Sequence, residues 1–361
     1  MRIHDKILLI GAALVCAVGF AGTALFPAGR FSVQENRYLA PFPQLSAAGV
    51  LDGSVSAGLE SFASERFAWR APLRTLWGGV QLTLGQREAH GVILCRDGSL
   101  SRRLPTDAAM YGKNLAAMRH LQGAAQVPLT LFILPRRIEA RSEVLPFGYN
   151  TSAEEEDLAA LPSQVLLFSD CRGDGCWFRT DHHWTQQGAY HAYVRLGEEL
   201  GYTPLAESAF EIEVASDSFF GSSYAAAGLP LISPDNLELW HYAGEEALQV
   251  LRNGEPADFR GLYDRASLQT SDKYAVFLGG NCGTLEITQG EQDTRPTLLV
   301  IKDSFGNALL PFLARHFRIV ALDPRYTPLS LSKPFEGADK ALLLCGIQTL
   351  TQGPFLSLMR P

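Results

Sequence analysis

From Ile7 to Ala28 the chain carries no charged residue and is dominated by Leu, Ile, Val, Ala and Phe. At a rise of about 1.5 Å per residue, roughly 20 such residues match a hydrocarbon core of about 30 Å, and they exceed the apolar stretch of about 7 to 15 residues in a cleaved signal. The pattern predicts a retained signal anchor over residues 1–28. Arg2 and Lys6 precede the run, so the charge rule for membrane topology puts the N-terminus in the cytoplasm and everything after Arg30 outside. Gly22-Thr23-Ala24 offers small residues to a signal peptidase, which keeps a secreted form as the alternative. Residues 29–90 then read as a membrane-proximal helical segment, with Leu59, Phe62, Phe67, Leu73, Leu76 and Val80 expected to bury against the main body.

From about residue 91 the texture changes to short apolar runs separated by amphipathic stretches. The runs at 128–134, 164–168, 274–278, 297–301, 318–322 and 341–344 have the length and composition of strands buried on both faces. Helical spacing lies between them, near 107–122, 153–161, 185–200 and 305–316. Alternation of this kind predicts an α/β fold in which a parallel sheet is flanked by helices. Residues 205–273 follow the alternation poorly and are rich in turn formers, so they are expected to form an irregular insertion in a domain spanning 91–361.

Composition adds exclusions. With 47% hydrophobic and 19% charged residues the chain has enough apolar surface to fold, which rules out a disordered protein. The net charge of −7 and the lack of a long Lys/Arg run argue against nucleic acid as a partner. Outside the anchor the cysteines are Cys95, Cys171, Cys176, Cys282 and Cys345. Cys171 and Cys176 flank Arg-Gly-Asp-Gly, a turn-forming spacer that can bring them within disulfide range or leave them as thiols. Their spacing is not that of a zinc site.

Two segments carry residue types suited to chemistry. Thr297–Asn307 is an apolar strand that runs through Lys302-Asp303-Ser304 into a helix, and ligand sites in open α/β sheets gather at such strand ends. Ser304 there is either a nucleophile beside helix N-terminal amides or a simple helix cap. The second segment, Trp177-Phe178-Arg179-Thr180-Asp181-His182-His183-Trp184-Thr185, places three titratable residues between two tryptophans, just before a helix that Thr185 can cap. A serine nucleophile needs a base of near-neutral pKa and a carboxylate that sets the tautomer of that base. Asp181 and His183 suit those roles, with His182 expected to point elsewhere. A metal reading of Asp181, His182, His183 and His191 is disfavoured because adjacent residues rarely ligate one ion well, so no metal is expected; serine acyl chemistry would need no organic cofactor either.

These residues resemble the DHHW family, whose defining string stands here as Asp181-His182-His183-Trp184. Glu35-Asn36-Arg37-Tyr38-Leu39, Gly188-Ala189-Tyr190, Phe277-Leu278-Gly279-Gly280-Asn281, Lys302-Asp303-Ser304-Phe305 and Leu322-Asp323-Pro324-Arg325-Tyr326 match further blocks in the same order. That family is similar to the SGNH-like polysaccharide O-acetyltransferases of the alginate type, in which an Asp-x-His element precedes the catalytic serine. The resemblance implies an SGNH-hydrolase-like fold with Ser304 as nucleophile, His183 as base and Asp181 as its orienter. Oxyanion donors would come from the amide of Ser304 or Phe305 and from Asn281 or Asn307, although Asn281 also suits a turn. Arg325 and Tyr326 would line the substrate site, unless Arg325 only pairs with Asp323.

The implied function is that of a membrane-anchored, extracytoplasmic acetyltransferase or acetylesterase acting on a cell-surface polysaccharide. A transferase would need a membrane-bound acyltransferase to supply acetyl. The rival is a non-catalytic glycan-binding or envelope-assembly protein, with Trp177, Trp184, Phe219, Phe220, Tyr224 and Trp240 stacking on sugars.

Overall fold

A computed structural model describes residues 3–25, 29–32, 37–67, 69–171, 173, 175–327 and 335–359. Arg2, Glu35, Asn36, Arg172 and Asp174, all used above, lie outside the described residues, as do the last positions of the expected anchor. That anchor falls on a helix over Ile3–Leu25, only part of whose side chains are described. Among the described residues no helix is long and apolar enough to cross a membrane, so the anchor stands as an expectation.

The chain divides into two compact units, Met1–Val92 with Ser222–Ile232, and Ile93–Gly221 with Ser233–Pro361. In the first unit, helices span Ser54–Glu65 and Arg70–Thr83. The absence of a side chain at Gly78 leaves room for Leu229, and Arg74 donates to the Ala226 carbonyl at 2.9 Å. Leu59, Leu73, Leu76 and Val80 are 38–65% exposed, not buried as their spacing suggested.

The second unit is built on an eight-stranded sheet. Its strands are β1 (Leu129–Leu134), β2 (Leu166–Leu167), β3 (Gln249–Arg252), β4 (Glu255–Pro256), β5 (Thr284–Thr288), β6 (Thr297–Lys302), β7 (Arg318–Leu322) and β8 (Lys340–Gly346), in spatial order β4-β3-β5-β7-β6-β8-β1-β2. β7, β6, β8, β1 and β2 pair in parallel. The sheet is nevertheless mixed, because β5, β3 and β4 add antiparallel pairings along one edge. The near-continuous apolar runs follow from burial on both faces. Leu298 and Val300 of β6 face the core formed by helices α2 (Gln186–Leu200) and α3 (Phe305–Leu313), while Leu299 and Ile301 face α1 (Ala108–Ala124) and α4 (Ile347–Gln352). This alternation is the period of two that a strand imposes on its side chains.

Two local expectations are corrected. Residues 274–278 do not form a strand: a 3₁₀ turn over Lys273–Val276 leads into a left-handed stretch at Leu278, Gly279 and Gly280, with φ of 59°, 72° and 77°. A short apolar run cannot be told from another buried conformation by periodicity, and the two glycines favour the turn. β5 passed unread although Leu285 and Ile287 alternate with polar neighbours, the pattern of an antiparallel strand. Residues 205–273 contain a two-stranded ribbon, Glu211–Phe219 with Asp235–His241, together with β3 and β4 of the main sheet.

Candidate active site

The carboxyl end of β6, a central strand, delivers Asp303 and Ser304 at the start of α3. Asp303, 1% exposed, does the capping. Its Oδ1 accepts from the Phe305 amide at 3.0 Å, and its Oδ2 accepts from the Gly346 amide at 2.8 Å and the Thr349 hydroxyl at 2.6 Å. Ser304 makes no side-chain cap bond. The capping alternative for Ser304 is thereby replaced: the Gly306 and Asn307 amides, which a cap at 304 would serve, donate instead to the backbone carbonyls of Asp303 and Ser304 at 3.2 Å each.

Ser304 Oγ lies 2.7 Å from His183 Nε2, and His183 Nδ1 lies 2.6 Å from Asp181 Oδ1. The Asp181 carboxylate can only accept, so the ring proton sits on Nδ1 and Nε2 is left as acceptor for the serine hydroxyl. Asp181 Oδ1 also accepts from the His183 amide at 2.9 Å, which ties backbone and ring to one oxygen. Three residues separated by up to 123 positions in the chain therefore form one hydrogen-bonded line.

The turn bearing Asp181 and His183 is held by side chains rather than by regular structure. Asp235 accepts from the amides of Arg179 and Thr180 at 2.9 and 2.8 Å and from the Thr180 hydroxyl at 2.6 Å. The Gly221 amide donates to that hydroxyl at 3.0 Å, and a β-carbon at Gly221 would overlap the Asp181 side chain. Trp184, fully buried, donates from Nε1 to the Phe305 carbonyl at 3.1 Å, linking this turn to the first turn of α3. Thr185 caps α2 by accepting from the Gly188 amide. Cys171 and Cys176 are joined as a disulfide just upstream.

The His183 ring is sandwiched. Tyr274 stacks on one side at 3.9 Å between centroids and 6° between planes, and His182 lies on the other at 3.8 Å and 38°. His182 therefore does not point away as expected; its Nδ1 is 3.5 Å from Asp181 Oδ1. Burial, with the neighbouring His183 adding to it, pushes the His182 pKa down to about 3, so this imidazole is neutral near pH 7 and does not repel a protonated His183. Burial raises the Tyr274 phenol well above its ordinary range. Asp181, His182 and His183 also offer ligand atoms within 4.8 Å of one another. The 2.6 Å contact between His183 Nδ1 and Asp181 Oδ1 is a hydrogen bond that engages one ligand atom of each residue.

Of the remaining expected residues, Asn281 is half-buried and ends the Leu278–Gly280 turn, while Asn307 is 1% exposed. Asn307 donates from Nδ2 to Asn281 Oδ1 at 3.1 Å and accepts at Oδ1 from Lys302 Nζ. Its oxygen and one of its two N–H groups are thus engaged within the protein. The Phe305 amide is likewise taken by Asp303. Arg325 pairs with Asp323 through two contacts of 2.9 and 2.7 Å, and Tyr326 is 57% exposed. The sugar-stacking expectation fails for Trp177, Trp184, Phe219 and Trp240, which are 0–3% exposed and belong to the core.

Residues that the sequence reading passed over are Lys302, Asp235, Gly221 and Tyr274. Only Lys302 carried a local signal, as a cation ending an otherwise apolar strand; the others meet the site only through tertiary folding.

Residues 164–322 match the family model described as DHHW protein. By sequence, no curated protein matches the chain. Among solved structures the chain is similar to a DHHW family protein from Eubacterium siraeum, at 19% identity and TM-score 0.61 over 76% of this chain and 97% of that one. It is also similar to Bacillus cereus PatB1 solved with a sulfonyl adduct, at 18% identity and TM-score 0.58 over 75% of this chain and 97% of that one. The O-acetyltransferase domain of Pseudomonas putida AlgJ aligns at 20% identity and TM-score 0.46 over 75% of this chain and 96% of that one. The Asp181-His182-His183-Trp184 string lies inside the segment that matches the DHHW model, and the fold is similar to that of a solved DHHW family protein.

Proposed function

We propose that this protein is a serine acyl-transfer enzyme that moves an acetyl group to or from a hydroxyl of a cell-surface polysaccharide. The observation that carries the reading is the line Asp181–His183–Ser304, with contacts of 2.6 and 2.7 Å and a serine hydroxyl not spent on capping. Ser304 Oγ attacks the acetyl carbonyl while its proton passes to His183 Nε2. Asp181 stabilises the imidazolium without taking the proton. The oxyanion meets the Ser304 amide and the Asn281 side-chain amide, donors fixed before the charge develops. Collapse breaks the bond to the donor alcohol, which leaves with the proton held by His183, and acetyl-Ser304 remains. A sugar hydroxyl or water then attacks this ester, giving its proton to His183; the bond from Ser304 Oγ to the acetyl carbon breaks, His183 returns the proton to Oγ, and the acetylated sugar or acetate leaves.

The choice of acetyl and polysaccharide rests on the resemblance of the sequence blocks to SGNH-like polysaccharide O-acetyltransferases. The sulfonyl adduct on PatB1 is in keeping with a shared nucleophilic centre, since such groups add to activated nucleophiles. An extracytoplasmic location, an anchor over residues 1–28 and a membrane-bound acetyl donor belong to the same proposal. The Cys171–Cys176 disulfide supports an oxidising compartment.

The test is acetylation of the purified full-length chain by p-nitrophenyl acetate, read by release of p-nitrophenol and by intact-mass detection of acetyl on Ser304. Ser304→Ala and His183→Ala should each lower the rate by about 10³-fold or more. Equal rates in the wild type and both variants would refute the reading.

A further inference from the structure

Lys302 is an unusual neighbour for a nucleophile. It ends a strand of apolar residues, is 1% exposed, and its stem runs along the first turn of α3, where a side chain at Gly306 would collide with it. Burial pushes its pKa down to about 8, with Asp323, Cys282 and Asp303 working against that fall and Arg325 adding to it. A lysine so placed costs stability unless its N–H groups find acceptors. One acceptor is Asn307 Oδ1, and Asn307 Nδ2 in turn donates to Asn281 Oδ1 at 3.1 Å.

The chemistry of the first donor orients everything after it. A lysine Nζ carries donors only while it is charged, so the Asn307 carboxamide must turn its oxygen toward Lys302. Its NH₂ then faces Asn281 and demands an oxygen there. The Asn281 oxygen is consumed, and its own NH₂ is turned away from Asn307. The backbone holding Asn281 is also constrained. Arg252 donates to the carbonyls of Leu278 and Asn281 at 2.9 and 3.2 Å, and Gly279 has no room for a side chain beside that guanidinium. The loop therefore cannot easily swing to compensate for a flipped amide.

We infer that Lys302 and Asn307 are positioning residues: through two hydrogen bonds, the first buried and the second part-buried, they make the Asn281 carboxamide present its NH₂, not its oxygen, to the acyl oxygen at Ser304. An asparagine free to flip would present a repulsive oxygen dipole part of the time, and a preorganised donor avoids that reorganisation during the reaction. The inference rests on the serine acyl-transfer reading above and adds to it the origin of one donor's polarity.

Asn307→Asp provides a nearly isosteric test. The carboxylate still accepts from Lys302 but has no N–H for Asn281, so Asn281 must turn its NH₂ inward and its oxygen toward the acyl group. Acetylation of the full-length chain by p-nitrophenyl acetate is measured for Asn281→Ala, Asn307→Asp and the double variant. Each single variant should lower kcat by about 10²-fold with KM little changed. The double variant should be no slower than Asn281→Ala alone. Losses that multiply in the double variant, or a wild-type rate in Asn307→Asp, would overturn the inference. Lys302→Met, which lets Asn307 flip, should cost about 10-fold in the wild-type background and nothing in the Asn281→Ala background. That second cycle decides the matter should Asn307→Asp fail to fold. The acyl-transfer reading has its own failure, a wild-type chain whose Ser304 never becomes acetylated, and that outcome is distinct from either cycle.

Discussion

The serine and the histidine of this site are held by two different kinds of structure. Ser304 sits at a junction of regular elements, with β6 hydrogen-bonded in parallel on both sides and α3 beginning at the next residue. Asp181 and His183 sit in an irregular turn fastened by the Asp235 carboxylate, the small Gly221, the Trp184 indole and the rings around His183. The difference teaches that the nucleophile is placed by backbone pairing while the base is placed by side chains. Substitutions on the turn should then disturb chemistry more than folding, and substitutions at the junction the reverse, Ser304 itself excepted.

The largest expected effect comes from the turn. Asp181→Asn keeps shape but offers an N–H where His183 needs an acceptor, which favours the wrong ring tautomer. The acetylation rate should fall by about 10³ to 10⁴-fold. Thermal melting of the same variant measures whether folding is spared; a large loss of stability with modest loss of rate would break the comparison.

The junction gives the next effect. Asp303→Ala removes the acceptor of two buried amides and one hydroxyl, and leaving such groups unpaired costs about 1–3 kcal/mol each before relaxation. A net loss of about 3 kcal/mol in urea unfolding is expected. A change below about 1 kcal/mol would mean that the sheet alone positions Ser304.

The next effect concerns pH. The folded-state pKa of His182, about 3, lies below its ordinary value of 6.5, so between pH 3 and 6.5 the unfolded chain binds the extra proton. Stability should therefore rise with pH across that window and lose this contribution as pH falls. His182→Gln should flatten that part of the stability curve measured by chemical denaturation at several pH values. An unchanged slope would show that other groups carry it.

Much of this was legible beforehand because local rules sufficed. The strands over 129–134, 297–302, 318–322 and 340–346 and the helices over 108–124 and 186–200 lie close to the runs read from apolar spacing. Their backbone preference and burial agree at each position. The turn at 278–280 escapes the periodicity of the apolar run; the two glycines favour it locally, and the Arg252 contacts that hold it exist only in the fold. Lys302 and Asn307 could be listed as residues but not joined, since a chain of amides acquires direction only when its members are seen in contact.

By itself the amino-acid sequence determined most of the strands and helices, which residue types could act as nucleophile, base and orienter, and the family that the chain resembles. Tertiary structure decided which of those residues meet, that Asp303 and not Ser304 caps the helix, that four of the six aromatics fill the core, and that His183 lies between two rings. The reason is one of range. Propensity and periodicity act over a few residues, whereas the 2.7 Å contact between Ser304 and His183 spans 121 positions and exists only once the chain has folded.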